Sequence, residues 1–291
     1  MQKYLLLLSF VMMLSASCSK EPTHSDKLLI GVSIRPLADL TQKIGGSRIE
    51  VFTIIPPGAN PHTFELTPGM MKKMARADLL VFNGVGLEFW LDNVMSVMAG
   101  KQAVFTAEGL EILEDGYEGD DHRHDHGNPH VWLDPRNAQH QVRRIAAALI
   151  NVDPANRGYY ETNAAIVLKE LEILDSDIEQ QVARWQQKRF VTFHPSWVYF
   201  ARRYGLEQAA VIEKRGGQEQ SPNEIADLIA TVQVIGARAV FAESQFPVRV
   251  AEVIARESGI GVVVLDPLGS LPKTSAYVDM MRYNVAQMSR V

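Results

Sequence analysis

Short hydrophobic runs alternate with amphipathic stretches through the first half of the chain. Each run is rich in Val, Ile, Leu or Phe and has the length of a single β-strand. Between the runs, residues 37–46 and 67–77 repeat their apolar positions with the period of a helix, and residues 136–150 form a further predicted helix after the last of these runs. The predicted strands cover residues 28–34, 51–56, 79–84 and 103–108. This alternation is typical of βαβ units and predicts a parallel sheet.

The second half of the chain repeats the same alternation of predicted strands and helices. Its predicted strands cover residues 189–194, 209–212, 239–244 and 261–267, and its predicted helices cover 221–236 and 248–259. The first of these helices carries a strong start signal, with Ser221 as N-cap, Pro222 at the first position and Glu224 at the third. The chain therefore contains two similar α/β halves.

Residues 153–188 separate the two halves and have the pattern of a long helix. Asp153 can cap this helix, Pro154 can start it, and neither Gly nor Pro interrupts residues 159–188. A helix of about 30 residues is roughly 45–50 Å long. We therefore predict an α/β fold in which two parallel-sheet lobes, residues 28–152 and 189–291, are joined by one long rigid helix. The alternative is a long helix that simply lies on the surface.

The N-terminal residues have the features of a secretory signal. Residues 1–17 contain one early Lys, an apolar core and then small residues, and the core is too short to span a membrane. Cys18 is the only cysteine and lies where a bacterial lipoprotein would receive its lipid, although Ser15 stands where Leu is usual. We expect lipid attachment at Cys18 and a polar tether over residues 18–27. The alternative is an ordinary signal cut near Ala16.

The overall composition is that of a globular protein without affinity for nucleic acid. Charged residues make up 22% and apolar residues 46% of the 291 residues, and the net charge is −5. A basic patch that could bind nucleic acid is not evident in this pattern. We expect a monomer that contacts the membrane only through its N-terminus, on the periplasmic or extracellular side.

Three histidines and one aspartate lie in loops at the predicted ends of strands. His62, His130 and His194 each stand next to a proline, and Asp266 ends the late run VVVLD. In open α/β sheets ligands bind beyond the carboxyl ends of the strands, so these residues can meet in the cleft between lobes. Imidazole and carboxylate suit a borderline divalent ion, zinc first. Neutral imidazole is needed for binding, so we expect metal affinity to fall below about pH 6.

Six segments in order resemble the zinc/manganese solute-binding proteins of ABC importers, the ZnuA and TroA type. They are NPHTFELTP (60–68), NPHVWLDP (128–135), TFHPSWVYFARRYGL (192–206), SPNEIADLI (221–229), AVFAESQF (239–246) and VVVLDPLG (262–269). The resemblance spans nearly all of the chain after the tether. It implies that His62, His130, His194 and Asp266 coordinate the ion. It also implies two lobes joined by one long helix, and delivery of the ion to a membrane permease with its ATPase.

The choice between zinc and manganese depends on the carboxylates around this set. Three imidazoles with one carboxylate favour Zn²⁺, whereas Mn²⁺ prefers more oxygen ligands and remains the alternative. Manganese-binding relatives tend to place a second carboxylate where Glu213 and Glu219 lie. Because His194 is present, we expect neither to be a primary ligand. We interpret Glu243, at the end of a predicted strand, as a structural carboxylate that supports a histidine.

A short histidine-rich segment precedes His130. His122, His124 and His126 alternate there with acidic residues, and such tracts can bind metal through composition alone. We expect an auxiliary zinc-binding loop. The alternative is a solvated loop with incidental weak affinity.

The sequence favours a receptor over an enzyme. A site with four protein ligands is closed, whereas catalytic zinc usually keeps a position for water. The chain has no HExxH pair, and Glu65 is the one candidate base near a ligand for a zinc hydrolase. A surface adhesin or a zinc buffer on the same fold remains open.

Overall fold

The computed structural model describes residues 27–91, 94, 98, 100–114, 127–212, 221–246 and 248–290. The first lobe contains a sheet of four parallel strands in the order β2-β1-β3-β4. These strands are β1 (Leu28–Val32), β2 (Ile49–Thr53), β3 (Leu79–Phe82) and β4 (Ala103–Phe105). The helices described in this lobe are Arg35–Gly45, Pro68–Arg76 and Pro135–Val152. The predicted parallel sheet is confirmed.

The second lobe repeats this architecture with the strand order β6-β5-β7-β8, again all parallel. Its strands are β5 (Arg189–Thr192), β6 (Glu207–Val211), β7 (Ala239–Glu243) and β8 (Gly261–Leu265). Its helices are Val198–Tyr204, Pro222–Ile235, Arg249–Ser258 and Tyr277–Met288. The predicted start of the second helix is confirmed, because Ser221 and Glu224 form a reciprocal capping box.

The strands end one to three residues before their predicted ends. At these points the chain leaves the ladder for loops that hold polar side chains, including His194 and Asp266. Two helices, Val198–Tyr204 and Tyr277–Met288, were not predicted. The first is only seven residues long, which leaves little room for a periodic pattern to show.

One long helix joins the lobes. A 3-10 turn over Pro154–Asn156 leads into the helix Arg157–Ala183, which we call the linking helix. Its 27 residues correspond to a length of about 40 Å at about 1.5 Å per residue. It ends at Ala183 rather than at residue 188. Among the described residues, none of the helices is both long enough and apolar enough to span a bilayer.

The largest hydrophobic core is shared between the lobes. It combines Leu174 of the linking helix with Trp132 from the first lobe and Met281 from the last helix, all three fully buried. The outer face of each sheet packs against its own helices in a separate, smaller core. The last helix also reaches the first lobe through its start, where Tyr277 N donates to Asp39 Oδ2 at 2.9 Å. The lobes are thus held together by apolar packing as well as by the covalent connection.

A buried carboxylate ties the linking helix to both lobes. Asp175 accepts hydrogen bonds from Arg203 Nε at 3.0 Å and Nη2 at 2.7 Å. Its two oxygens also accept from Tyr204 OH at 3.0 Å and from Arg136 Nε at 3.2 Å. Arg203 and Tyr204 belong to the second lobe and Arg136 to the first, so one side chain joins three elements.

Candidate metal centre

His62 lies in the loop that follows β2. Asn60 and Pro61 precede it, and the Asn60 side chain folds back so that Oδ1 accepts the backbone N–H of His62 at 3.0 Å. This is an asparagine turn, which gives the loop a defined shape without a neighbouring strand or helix. The His62 side chain is partly exposed.

His130 lies in the segment that leads into the helix Pro135–Val152. The same motif recurs here, because Asn128 Oδ1 accepts the backbone N–H of His130 at 3.0 Å. A 3-10 turn over Val131–Leu133 follows directly and is fully buried. His130 is only 4% exposed, so this ligand candidate sits deeper than His62.

His194 lies just beyond the end of β5. Phe193 N still donates to Phe241 O at 2.7 Å, which holds the backbone at the sheet edge. Pro195 then begins a 3-10 turn, since its fixed φ suits the first position of a helical turn. His194 is 5% exposed and its ring lies 5.1 Å from the ring of Phe246, centroid to centroid.

The fold brings these three predicted histidines together. The Nε2 atoms of His62 and His130 are 3.2 Å apart, and one nitrogen from each of the three rings lies within 4.8 Å of the others. Two nitrogens bound to one tetrahedral zinc at about 2.0–2.1 Å would be roughly 3.3 Å apart. The 3.2 Å between the Nε2 atoms of His62 and His130 therefore suits a shared ion, and the His194 ring lies close enough to join them. Within the described ranges, no other set of His, Cys, Asp or Glu side chains has this arrangement.

Asp266 does not join this group in the structure, although the sequence pattern placed it there. Its carboxylate is buried in the loop after β8, where it accepts the backbone N–H groups of Leu268, Ser270 and Leu271 at 3.3, 2.9 and 3.0 Å. The Thr274 hydroxyl donates to it as well. The loop thus satisfies the carboxylate locally, and its role as a metal ligand stays a prediction.

Glu243 lies behind His194. It is fully buried at the end of β7, and its Oε2 is 3.8 Å from Nδ1 of His194. Ser196 Oγ donates to its Oε1 and Gln245 Nε2 donates to its Oε2, the latter at 2.6 Å. Burial raises the pKa of Glu243 to about 8, although these hydrogen bonds act in the opposite direction. At 3.8 Å this contact is too long for a hydrogen bond, so the interpretation that Glu243 supports a histidine stays a prediction.

Several predicted residues lie outside the described part of the chain. They are Cys18, the auxiliary loop histidines His122, His124 and His126, and the carboxylates Glu213 and Glu219. Their proposed roles stay predictions.

Asn128 is the residue near this centre that the sequence reasoning missed. The signal that could have found it is the repeated Asn-Pro-His motif, at 60–62 and 128–130, with asparagine two positions before a candidate ligand each time. In the structure each asparagine forms the same type of turn, in which its side-chain oxygen accepts the backbone N–H of the histidine two positions later.

Comparison with known proteins places the chain in one family. The high-affinity zinc uptake system protein ZnuA of Bacillus subtilis (strain 168) is 30% identical, with 97% of this chain and 94% of the relative covered. The manganese ABC transporter substrate-binding lipoprotein PsaA of Streptococcus pneumoniae is 28% identical, with 94% and 92% covered.

The same result holds at the level of structure. A solved structure of a ZnuA deletion mutant with zinc bound is 34% identical and superposes with a TM-score of 0.81, covering 91% of this chain and 97% of that one. Residues 30–291 match the ZnuA family, described as the periplasmic component A of the zinc-uptake complex. Because this match covers nearly the whole chain, the protein belongs to the ZnuA family.

Proposed function

We propose that this protein is an extracytoplasmic receptor that captures Zn²⁺ between its lobes and delivers it to the permease of an ABC importer. The observation that carries the proposal is the convergence of His62, His130 and His194, with a ring nitrogen from each within 4.8 Å of the others. Relatives named for zinc uptake and for manganese transport support the class of function.

Zinc is the ion that this set of donors favours. Imidazole nitrogen is a good ligand for zinc, whereas manganese prefers carboxylate, carbonyl and water oxygens. Among the described residues, the group contains three imidazoles and no carboxylate. Asp266 is our candidate for the fourth ligand, since a carboxylate oxygen has lone pairs enough to accept a hydrogen bond and bind an ion together. If Asp266 stays with its own loop, water takes the fourth position.

The protein acts by binding and release rather than by catalysis. A receptor needs an enclosed site that opens to a partner, and two of the three imidazoles here are almost fully buried. The partly exposed His62 is the candidate ligand nearest to solvent and offers the route by which the ion enters and leaves.

The expected location follows from the N-terminal sequence. After removal of residues 1–17, a lipid on Cys18 would hold the receptor on the outer side of a bacterial membrane, next to the permease. The partners are thus the permease, its ATPase on the other side, and the membrane surface. We expect the receptor to act as a monomer.

Zinc affinity measured by competition with a chromophoric chelator tests the proposal. We expect one tightly bound zinc per chain, and we expect His194→Ala to weaken binding by more than about 100-fold, since even the loss of an outer-shell partner costs 10–100-fold. His140→Ala is the matched control, because His140 lies outside the group and hydrogen-bonds to Glu108 O at 2.8 Å. A preference for manganese, or binding indifferent to His194, would overturn the zinc assignment.

A deletion strain separates transport from the alternatives. Loss of growth under zinc limitation, restored by added zinc, supports the importer receptor. Unchanged growth with loss of surface attachment would instead identify an adhesin, and unchanged growth with lower extracytoplasmic zinc storage would identify a buffer. The lipid anchor is tested in parallel with Cys18→Ser, which should release the protein from the membrane fraction.

A further inference from the structure

Asn128 stands behind the buried ligand candidate His130. Its side chain is fully buried, and it contacts both the first and the second lobe. In addition to the backbone N–H of His130, the same Oδ1 lies 2.9 Å from the ring nitrogen Nδ1 of His130. On the other side, Asn128 Nδ2 donates to Pro195 O at 2.7 Å.

These contacts determine which way the Asn128 amide points. The backbone N–H of His130 can only donate, so the atom that faces it must be the amide oxygen. The carbonyl of Pro195 can only accept, so the atom that faces it must be the amide nitrogen. The two contacts require the same orientation, and a flipped amide would lose both.

The orientation of the amide in turn selects the tautomer of His130. An amide oxygen is an acceptor only, so the 2.9 Å contact is a hydrogen bond when Nδ1 of His130 carries the proton. In the neutral ring Nε2 then carries the lone pair rather than the proton. Nε2 is also the atom of His130 that lies 3.2 Å from Nε2 of His62.

Asn128 also links the loops of two ligand candidates from different lobes. His130 belongs to the first lobe, whereas Pro195 directly follows His194 in the second. The backbone carbonyl of Asn128 adds a second tie, because it accepts from Tyr199 OH at 2.7 Å. The position of His130 relative to His194 is therefore held by buried hydrogen bonds, and not only by the packing of the lobes.

We propose that Asn128 is a positioning residue that presets the metal site before an ion arrives. Its oxygen holds His130 as the Nδ1–H tautomer with Nε2 directed at the ion, and its amide group fixes the spacing between the His130 and His194 loops. This inference rests on the proposed zinc-receptor function for its purpose, but the tautomer of His130 is a property of the metal-free protein.

Three variants separate the two contributions of Asn128. Asn128→Ala removes both the oxygen and the nitrogen. Asn128→Asp is nearly isosteric, retains an acceptor for His130, and removes the donor to Pro195 O. Asn60→Ala is the matched control, because Asn60 occupies the same motif and accepts the backbone N–H of His62 rather than a ring N–H.

The first measurement is ¹⁵N NMR of the imidazoles in the metal-free protein, which distinguishes a protonated ring nitrogen from an unprotonated one. We expect His130 to be protonated at Nδ1 in the wild type, in Asn128→Asp and in Asn60→Ala, and to become a mixture of tautomers in Asn128→Ala. A residue that only filled space would leave this signature unchanged. An unchanged His130 tautomer in Asn128→Ala would overturn the inference, as would protonation at Nε2 in the wild type.

The second measurement is zinc affinity by chelator competition. We expect a loss of about 10–100-fold for Asn128→Ala, as for other partners that orient a metal-bound histidine, and a smaller loss for Asn128→Asp. A loss in Asn60→Ala as large as in Asn128→Ala would mean that the turn alone matters, and would overturn the inference. If the wild type binds no zinc, the proposed function fails, while the NMR result still tests the role of Asn128. If Asn128→Ala does not fold, Asn128→Asp still tests the spacing role, because unchanged zinc affinity in it would overturn that role.

Discussion

Replacement of Asp175 by asparagine should weaken the polar contacts between the linking helix and both lobes, at low steric cost. The side chain of Asp175 is 11% exposed and that of Arg203 is 13% exposed, so their pair of hydrogen bonds at 3.0 and 2.7 Å is largely shielded from water. Asparagine keeps the size and one oxygen, but it removes the negative charge. Among the described residues, the carboxylate that remains within 4.0 Å of Arg203 is then that of Glu179, which is largely exposed.

Asp175→Asn should lower the free energy of unfolding by about 2–3 kcal/mol. Breaking a fully buried ion pair by removing one partner costs about 3–5 kcal/mol, and a hydrogen bond to a charged group contributes about 1.5–3 kcal/mol. The lower end applies here because Arg203 retains some solvent contact and asparagine can still accept one bond. For a chain of this size, the corresponding decrease in Tm is roughly 4–6 °C.

The same variant predicts a pH dependence. Burial alone would raise the pKa of Asp175, but hydrogen bonds from Arg203, Tyr204 and Arg136 outweigh it, and the pKa lies below the ordinary value of 3.8. A carboxyl group with a lowered pKa in the folded state stabilises the protein above its unfolded pKa and loses that contribution as the pH falls. The difference in stability between the wild type and Asp175→Asn should therefore be full at pH 6 and shrink below about pH 4.

Urea titration of the metal-free protein measures this difference, with thermal unfolding as a second probe. Asp177→Asn is the matched control on the same helix, because the Asp177 carboxylate is 45% exposed and pairs with Arg282 at 3.4 Å. Its change in the free energy of unfolding should stay within about 0.5 kcal/mol. The reasoning is refuted if the two variants lose equal stability, or if the loss in Asp175→Asn is the same at pH 3 as at pH 6.

Three other sites give predictions that unfolding measurements can check. Leu174 is fully buried, whereas its neighbour Ile173 is 48% exposed. Leu174→Ala should therefore lower the free energy of unfolding by about 2–5 kcal/mol, and Ile173→Ala by less than about 0.5 kcal/mol. Equal losses in the two variants would contradict the packing. Gly269 and Gly259 both have positive φ, but a Cβ at Gly269 would lie 2.7 Å from a backbone oxygen, so Gly269→Ala should lower Tm more than Gly259→Ala does. Burial raises the pKa of Glu243 from 4.5 to about 8. The protonated carboxyl group therefore contributes fully to the stability of the fold below pH 4.5, and this contribution is lost as the pH rises to about 8. The stability of the wild type relative to Glu243→Gln should decline across that range, and a constant difference would contradict the assignment.

Local patterns in the sequence were enough to predict most of the fold. Strand positions follow from short apolar runs, and the start of the helix Pro222–Ile235 follows from Ser221, Pro222 and Glu224, since capping depends on residues within one turn. The linking helix follows from a long segment without Gly or Pro. The last helix escaped this reasoning because polar and apolar positions are only weakly separated along Tyr277–Met288, although Tyr277, Met280 and Met281 join the shared core.

The candidate site was likewise predictable only in part from the sequence. The sequence by itself determined which side chains are available, because His62, His130 and His194 lie next to prolines in loops, and parallel strands bring such loops to one edge. Only the tertiary structure decided which of them meet. Asp266 lies in a loop of the same kind, but its carboxylate accepts hydrogen bonds from three backbone N–H groups and from Thr274, so its part in metal binding stays a prediction. The direction of a side chain depends on competition among hydrogen-bond partners, and those partners are set by the folded backbone rather than by the residue's position in the pattern.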